Sequence, residues 1–128
     1  MSNYELQAEN FATKHNVKIQ INSVKYGKHF ADEKQSRHIF NITLKRNGKQ
    51  YTFNFGQSIM AGSQEPTMYD ILTCLEKYES IDFADFCGNY GYDEDSRKAY
   101  KIYLAVKKEY NAVNRLFNDC MEELQEIQ

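Results

Sequence analysis

Apolar residues in the last third of the chain recur in alternating steps of four and three. They are Ala99, Tyr103, Val106, Tyr110, Val113, Phe117, Cys120, Leu124 and Ile127. This spacing draws one stripe along a helix. Neither Gly nor Pro interrupts the run from Asp93 to Gln128. The pattern therefore predicts a single continuous helix, about 50 Å long at roughly 1.5 Å rise per residue. Read as heptads, the stripe puts large aromatics at three of four core positions, which suits a dimeric zipper poorly. Tyr100, Ile102, Leu116 and Met121 widen it further, so packing against the chain's own sheet is expected. The last two turns are expected to overhang that sheet. The oligomeric expectation is accordingly a monomer, or a homodimer through the C-terminal helix.

A second periodicity, of two, runs through the first half. Val17, Ile19 and Ile21 alternate as a strand does, then the phase slips to Val24 and Tyr26, predicting a bulge near Asn22. In RHIFNITLKRNGKQYTFNFGQS, Asn47-Gly48 supplies the two positive dihedrals of a type I′ turn. That turn pairs Arg46 with Lys49, Leu44 with Tyr51, Ile42 with Phe53 and Phe40 with Phe55. The six apolar members share one face, while Ile39, Asn41, Thr43 and Lys45 lie opposite Gln50, Thr52 and Asn54 on the other.

Shorter helices complete the chain. Residues 3–14 form a helix candidate anchored by Leu6 and Phe11. After a loop at 57–66, Thr67 can cap a helix from Met68 to Tyr78, with Tyr69, Leu72 and Leu75 at helical spacing. Ser80 can cap a short helix holding Phe83, Phe86 and Cys87 and ending near Gly88 or Gly91. Asp93 or Asp95 can cap the long helix, favourably for its dipole. The expected fold is α+β, one domain over residues 1–128: a three-stranded antiparallel sheet, formed by a strand plus the Asn-Gly hairpin. An N-terminal helix, two short helices and the long C-terminal helix pack on it.

Composition changes the picture in two places. The 128 residues include 10 Tyr and 8 Phe but no Trp, so aromatic packing should dominate the core. Net charge is only −2, yet it is unevenly spread. Between Lys14 and Lys49, nine basic residues stand against Asp32 and Glu33; between Glu76 and Asp95, seven acidic residues, Glu79 among them, stand against Lys77. The two poles either meet partners of opposite sign or face solvent. No segment has the apolar length of a membrane span, and SNYELQAENFATKHN lacks the regions of a signal peptide. A soluble, cytoplasmic protein without membrane contact is expected.

Candidate chemistry is sparse. Cys74, Cys87 and Cys120 are far apart among apolar neighbours, which predicts buried, reduced thiols rather than a metal or disulfide framework. His15, His29 and His38 lack the i, i+4 spacing of zinc hydrolases, although His29 and His38 flank a charged loop that also holds Asp32 and Glu33. Asp93-Glu94-Asp95-Ser96 begins like a calcium loop, but Arg97 and Lys98 stand where a ligand and the turn Gly belong. Phe55-Gly56-Gln57-Ser58 either brings backbone close to a ligand or simply ends a strand. No phosphate loop or nucleophile motif is present, so neither catalytic residue, cofactor nor metal is assigned. Lys25, Lys28, Lys45, Arg46 and Lys49 around a twisted sheet form a candidate nucleic-acid surface. The acidic pole offers the converse, a surface that mimics phosphates.

From the hairpin onward the chain resembles a family of small proteins encoded by bacteriophages, prophages and other mobile elements. The resembling segments are YTFNFGQSI (51–59), YDILTCLEKYE (69–79), DFADFCGNYGYDEDSRKAYKIYLAVKKEY (82–110) and the terminal ELQEIQ, with GYDEDSRKA the most specific. The family carries no assigned activity, so no catalytic residue transfers. The resemblance implies an accessory protein working in a bacterial host cell. Small proteins of such elements often bind and disable host defence machinery, CRISPR effectors included. The expected function is thus a non-enzymatic inhibitor, anti-CRISPR-like, that binds a bacterial host protein through Tyr90, Tyr92, Asp93, Glu94 and Asp95. The alternative is a nucleic-acid-binding accessory protein using the basic hairpin.

Overall fold

A computed structural model describes residues 2–127. Gln128, where the sequence pattern ends the long helix, and the side chain of Glu79 in the acidic pole lie outside the described residues. The architecture is α+β: one antiparallel sheet in the order β1 (Val17–Gly27), β2 (Arg37–Arg46), β3 (Lys49–Gly56), with helices on one face. Helix α1 (Asn3–Lys14) precedes the sheet. Helices α2 (Met68–Ser80), α3 (Phe83–Tyr90), α4 (Arg97–Asn114) and α5 (Met121–Gln125) follow it.

The hairpin register is the expected one, with Arg46 opposite Lys49 and Phe40 opposite Phe55. Asn47 and Gly48 both hold positive φ, 51° and 78°, as a type I′ turn requires. The β1–β2 register shifts between Ile21 and Ser23, which leaves Asn22 as the bulge. Phe40, Ile42, Leu44, Phe53 and Phe55 then join one core with Ile71, Leu72 and Leu75 of α2 and Val106, Tyr110 and Val113 of α4. Beyond the bulge β1 outruns the helices, so Val24 and Tyr26 are exposed. Leu6, expected as an anchor of α1, is half exposed; Ala8 and Ala12 join Phe11 in holding that helix.

Two expected caps are displaced. Ser80 is the last residue of α2, its hydroxyl donating back to the Lys77 carbonyl, and Asp82 caps α3 through the Asp85 amide. Helix α4 is capped by Ser96, which accepts from the Ala99 amide, rather than by Asp93 or Asp95. Hydroxyl and carboxylate caps satisfy the same free amides, so sequence alone ranks neighbouring candidates weakly.

The long helix is not continuous. It ends at Asn114, passes through a 3₁₀ turn at Arg115–Phe117 and resumes as α5. At the break lies Arg46, which shares the core face of β2 with Leu44. Its guanidinium donates to the carbonyls of His15 (2.8 Å) and Leu116 (2.7 Å) and to both oxygens of Asp119. The Cys120 amide donates to the Phe117 carbonyl, three residues back. The bend brings Phe117 within 6.2 Å of the Phe11 ring and buries Cys120, Leu124 and Ile127. The stripe expected to overhang and meet a second copy is spent on the chain's own core.

The Arg46 hydrogen bond holds the Asp119 carboxyl down from 3.8 to about 2. A carboxylate depressed in the folded state stabilises it fully above its unfolded value and loses that contribution as the pH falls through the folded one. Asp119→Asn is therefore expected to lower the urea midpoint at pH 7. The gap from the parent protein should shrink between pH 4 and pH 2 as measured by circular dichroism.

Candidate binding surfaces

The aromatic and acidic residues of YGYDEDS (90–96) divide between interior and surface. Tyr90 is buried: its ring lies edge-on to Phe30 at 4.8 Å, tilted against Phe86 at 5.0 Å, with the Arg37 guanidinium 5.0 Å above it. Burial pushes its hydroxyl well above the ordinary value. Tyr92 is half-buried and donates to the Ala31 carbonyl at 2.6 Å, its hydroxyl raised to about 12 by burial and then by Glu33 and Asp32. Both tyrosines hold the 28–36 loop in place, so neither is a free contact residue. The Lys34 amide donates to the Tyr90 carbonyl, and Lys98 pairs with Asp32. Gly91 ends α3 at φ 77° with the Lys34 side chain over it, where a Cβ would stand 2.4 Å from Lys34 Cδ.

Asp93, Glu94 and Asp95 are exposed. Along the same α3–α4 hairpin stand exposed Asp82 and Asp85, and among the described residues none of these five carboxylates forms an ion pair. On α4 Tyr100 and Leu104 keep nearly half their surface in water, Tyr100 edge-on to Phe83 at 5.2 Å. Sequence reasoning missed Leu104. Its signal was available: it is a large apolar residue lying off the buried stripe. Tyr100 and Leu104 share one face of α4 with Arg97, Lys101 and Lys108, so the exposed apolar pair is flanked by cations along its own helix. The carboxylates lie on α3 and in the turn before α4. Exposed apolar side chains beside charge suit a protein partner.

The basic candidates also divide. Arg46 is buried and committed to Asp119, so it is withdrawn from any nucleic-acid surface. Lys25, Lys28, Lys45 and Lys49 are exposed, Lys28 donating to the Lys34 carbonyl. Lys18, unremarked in the pattern, stands directly opposite Lys45 on the open face of the sheet. Around them runs a connected amide and hydroxyl lattice. Lys45 donates to Gln20, Gln20 to Asn22, Asn22 to both Asn41 and Thr43, and Asn41 to Asn54, with Thr43 and Thr52 sharing a bond at 2.8 Å. Alternation from Lys18 and Gln20 already places Asn22 on this face, and the bulge then sets Ser23 opposite Asn41. The three strands contain no acidic residue.

The nucleophile and base candidates hold their protons in forms that suit structure. Burial pushes the Cys74 thiol up to about 12, with the Tyr110 hydroxyl 3.5 Å away, and raises Cys87 and Cys120 as well. Cys87 and Cys120 are buried; Cys74 is only partly so. His29 lies against Gly56, where a Cβ would come within 2.8 Å of its ring, so the Gly of FGQS makes room for this imidazole. Burial, then Arg37 and Lys25, lowers His29 to about 4, leaving it neutral at physiological pH. Glu33 is buried beneath the loop, paired with Arg37 and accepting the His29 amide at 3.1 Å. His15 bonds Glu123 at 2.8 Å, and His38 packs on Tyr26. Asp93 to Ser96 forms the entry to α4, with the Ser96 amide on the Asp93 carbonyl. Among the described residues no three His, Cys, Asp or Glu side chains gather as a metal site.

Comparison with family models, curated proteins and solved structures finds no match to this chain.

Tyr90→Ala should behave as a core truncation, costing about 3–5 kcal/mol in urea unfolding. Alkylation by iodoacetamide at pH 8 should be at least tenfold slower for all three thiols folded than unfolded, since the thiolate is the reacting form.

Proposed function

We propose that this chain is a non-enzymatic accessory protein of a bacteriophage or related mobile element. It binds and inhibits a bacterial host protein, a defence effector of the anti-CRISPR target class, and acts in the cytoplasm of that host. The observation that carries the reading is the α3–α4 hairpin, which leaves Tyr100 and Leu104 half-exposed on α4 and five carboxylates exposed on α3 and in the turn before α4. Aromatic and aliphatic anchors beside unneutralised charge are the usual material of a protein interface. The same acidic run is complementary to the cationic groove of a protein that handles nucleic acid. The raised thiols and neutral, loop-bound His29 support a binding role over a catalytic one. The resemblance of GYDEDSRKA to mobile-element proteins supplies the biological setting.

Relative to the sequence reading, the contact set shifts. Asp93, Glu94 and Asp95 remain in it, Tyr100 and Leu104 join it, and Tyr90 and Tyr92 act from behind by holding the loop.

The test is affinity capture with tagged protein from a bacterial host lysate, with and without nuclease, followed by reconstitution with the captured protein. One host protein should be retained at stoichiometric level after nuclease, and its activity should fall as this chain is added. Tyr100→Ala with Leu104→Ala should weaken that complex about 30-fold or more, a loss of roughly 2 kcal/mol or above. Asp93→Lys with Asp95→Lys should slow association and reduce its salt dependence. Retention unaffected by both variants would sink the assignment of this surface.

A further inference from the structure

The turn end of the hairpin holds a cavity of about 300 Å³ lined by Lys18, Lys45, Lys49, Asn16, Asn47 and Gln50, with Arg46 at its rim and the Gly48 backbone across the turn. No acidic residue lines it. Lys18 and Lys45 are direct cross-strand partners, an arrangement in which like charges on one face repel. Nothing in the cavity offsets that repulsion: Lys45 donates to a neutral amide, Gln20, at 2.8 Å, and the one nearby carboxylate, Asp119, is held by the Arg46 guanidinium. The Asn16 side-chain amide donates to Asn47 Oδ1 at 3.4 Å, and both residues hold positive φ. This fixes the rim on the side where amide donors accompany the lysines.

The larger groove, about 620 Å³ between the end of β3 and α2, is different. Its Arg37 is already paired with Glu33, and Asp70 and Glu76 share the wall with Lys77. Charge there is balanced. The smaller cavity alone concentrates cations without a counter-charge.

We propose that the hairpin-tip cavity is a phosphate-binding site, with Lys18, Lys45 and Lys49 as the charged ligands and Asn16, Asn47 and Gln50 as amide donors. It takes a phosphate group either of a nucleic-acid backbone or of a free phosphorylated molecule. Three lysines line one concavity that no acid lines, so a bound anion offsets their charge, and amides complete the oxygens' hydrogen bonds. The site is separate from the α3–α4 surface and stands or falls independently of the host-protein reading. On a nucleic acid it would anchor one phosphate, with Lys25 on the same open face of the sheet available to the strand beyond.

The experiment is a nitrogen-15 NMR titration of the full chain with sodium pyrophosphate, and separately with a twelve-nucleotide oligothymidylate and a twelve-base-pair duplex. Amide shifts confined to Lys18, Lys45 and residues 47–50 are expected. Oligonucleotide binding at those amides, weakening steeply with salt, identifies a nucleic-acid backbone. Pyrophosphate shifts there without oligonucleotide binding identify a free phosphorylated molecule. Lys18→Gln with Lys45→Gln, checked for folding by circular dichroism, should lose at least tenfold in affinity for whichever probe binds; Lys101→Gln on α4 should lose none. Should the double variant fail to fold, Lys49→Gln provides the same readout at an exposed position. Unmoved hairpin-tip amides with every probe, equal shifts at α4 lysines, or a folded variant binding as tightly as the parent overturns the proposal.

Discussion

One guanidinium anchors the C-terminal half of the chain. Arg46 sits at the end of β2 on the core side, where the hairpin register places it beside Leu44. A buried cation is costly unless its donors are all used. Here four hydrogen bonds engage it, one to the carbonyl that follows α1, one to the Leu116 carbonyl and two to Asp119. Those contacts tie the N-terminal helix, the sheet and the C-terminal segment together. They meet at the bend, after which Leu124 and Ile127 return to the core.

The 28–36 loop organises the opposite end in a similar way, around a buried carboxylate. Glu33 pairs with Arg37 and accepts the His29 amide, while Phe30 enters the aromatic cluster of Phe86 and Tyr90. A loop read as a run of charges is thereby welded to the α3–α4 junction, and Tyr90 and Tyr92 are consumed in holding it. What remains outside at that junction is carboxylate, with Tyr100 and Leu104 further along α4. Burial of the rings and exposure of the acids are two sides of one packing decision.

Charge is segregated on the sheet and mixed on the helices. The strands carry cations and amides and no acid; α3 and the turn before α4 carry five exposed carboxylates, and α4 itself adds exposed Arg97, Lys98, Lys101 and Lys108. Lys98 with Asp32 links the 28–36 loop to α4. Such a molecule presents two chemically unlike surfaces on a small frame, which suits the proposal of an acidic protein-binding face and a separate phosphate site at the hairpin tip. A single domain can serve both because the sheet uses one face for the core and leaves the other to the side-chain lattice.

Local rules were enough for the α+β class, the hairpin register, the Asn22 bulge, the Thr67 cap and the absence of acid from the strands. Each depends on period, turn dihedrals or residue type within a few positions, and those are written along the chain. The break after Asn114, the burial of Arg46, the exposure of Tyr26 and the docking of Tyr90 and Tyr92 were decided by tertiary structure. They depend on partners 30 to 70 residues away, such as Leu116 for Arg46 and Ala31 for Tyr92. Parity did place Arg46 on the core face, yet only the fold supplies the carbonyls and carboxylate that make a buried guanidinium tolerable. Pattern determines which side a residue faces; packing determines what, if anything, is waiting there.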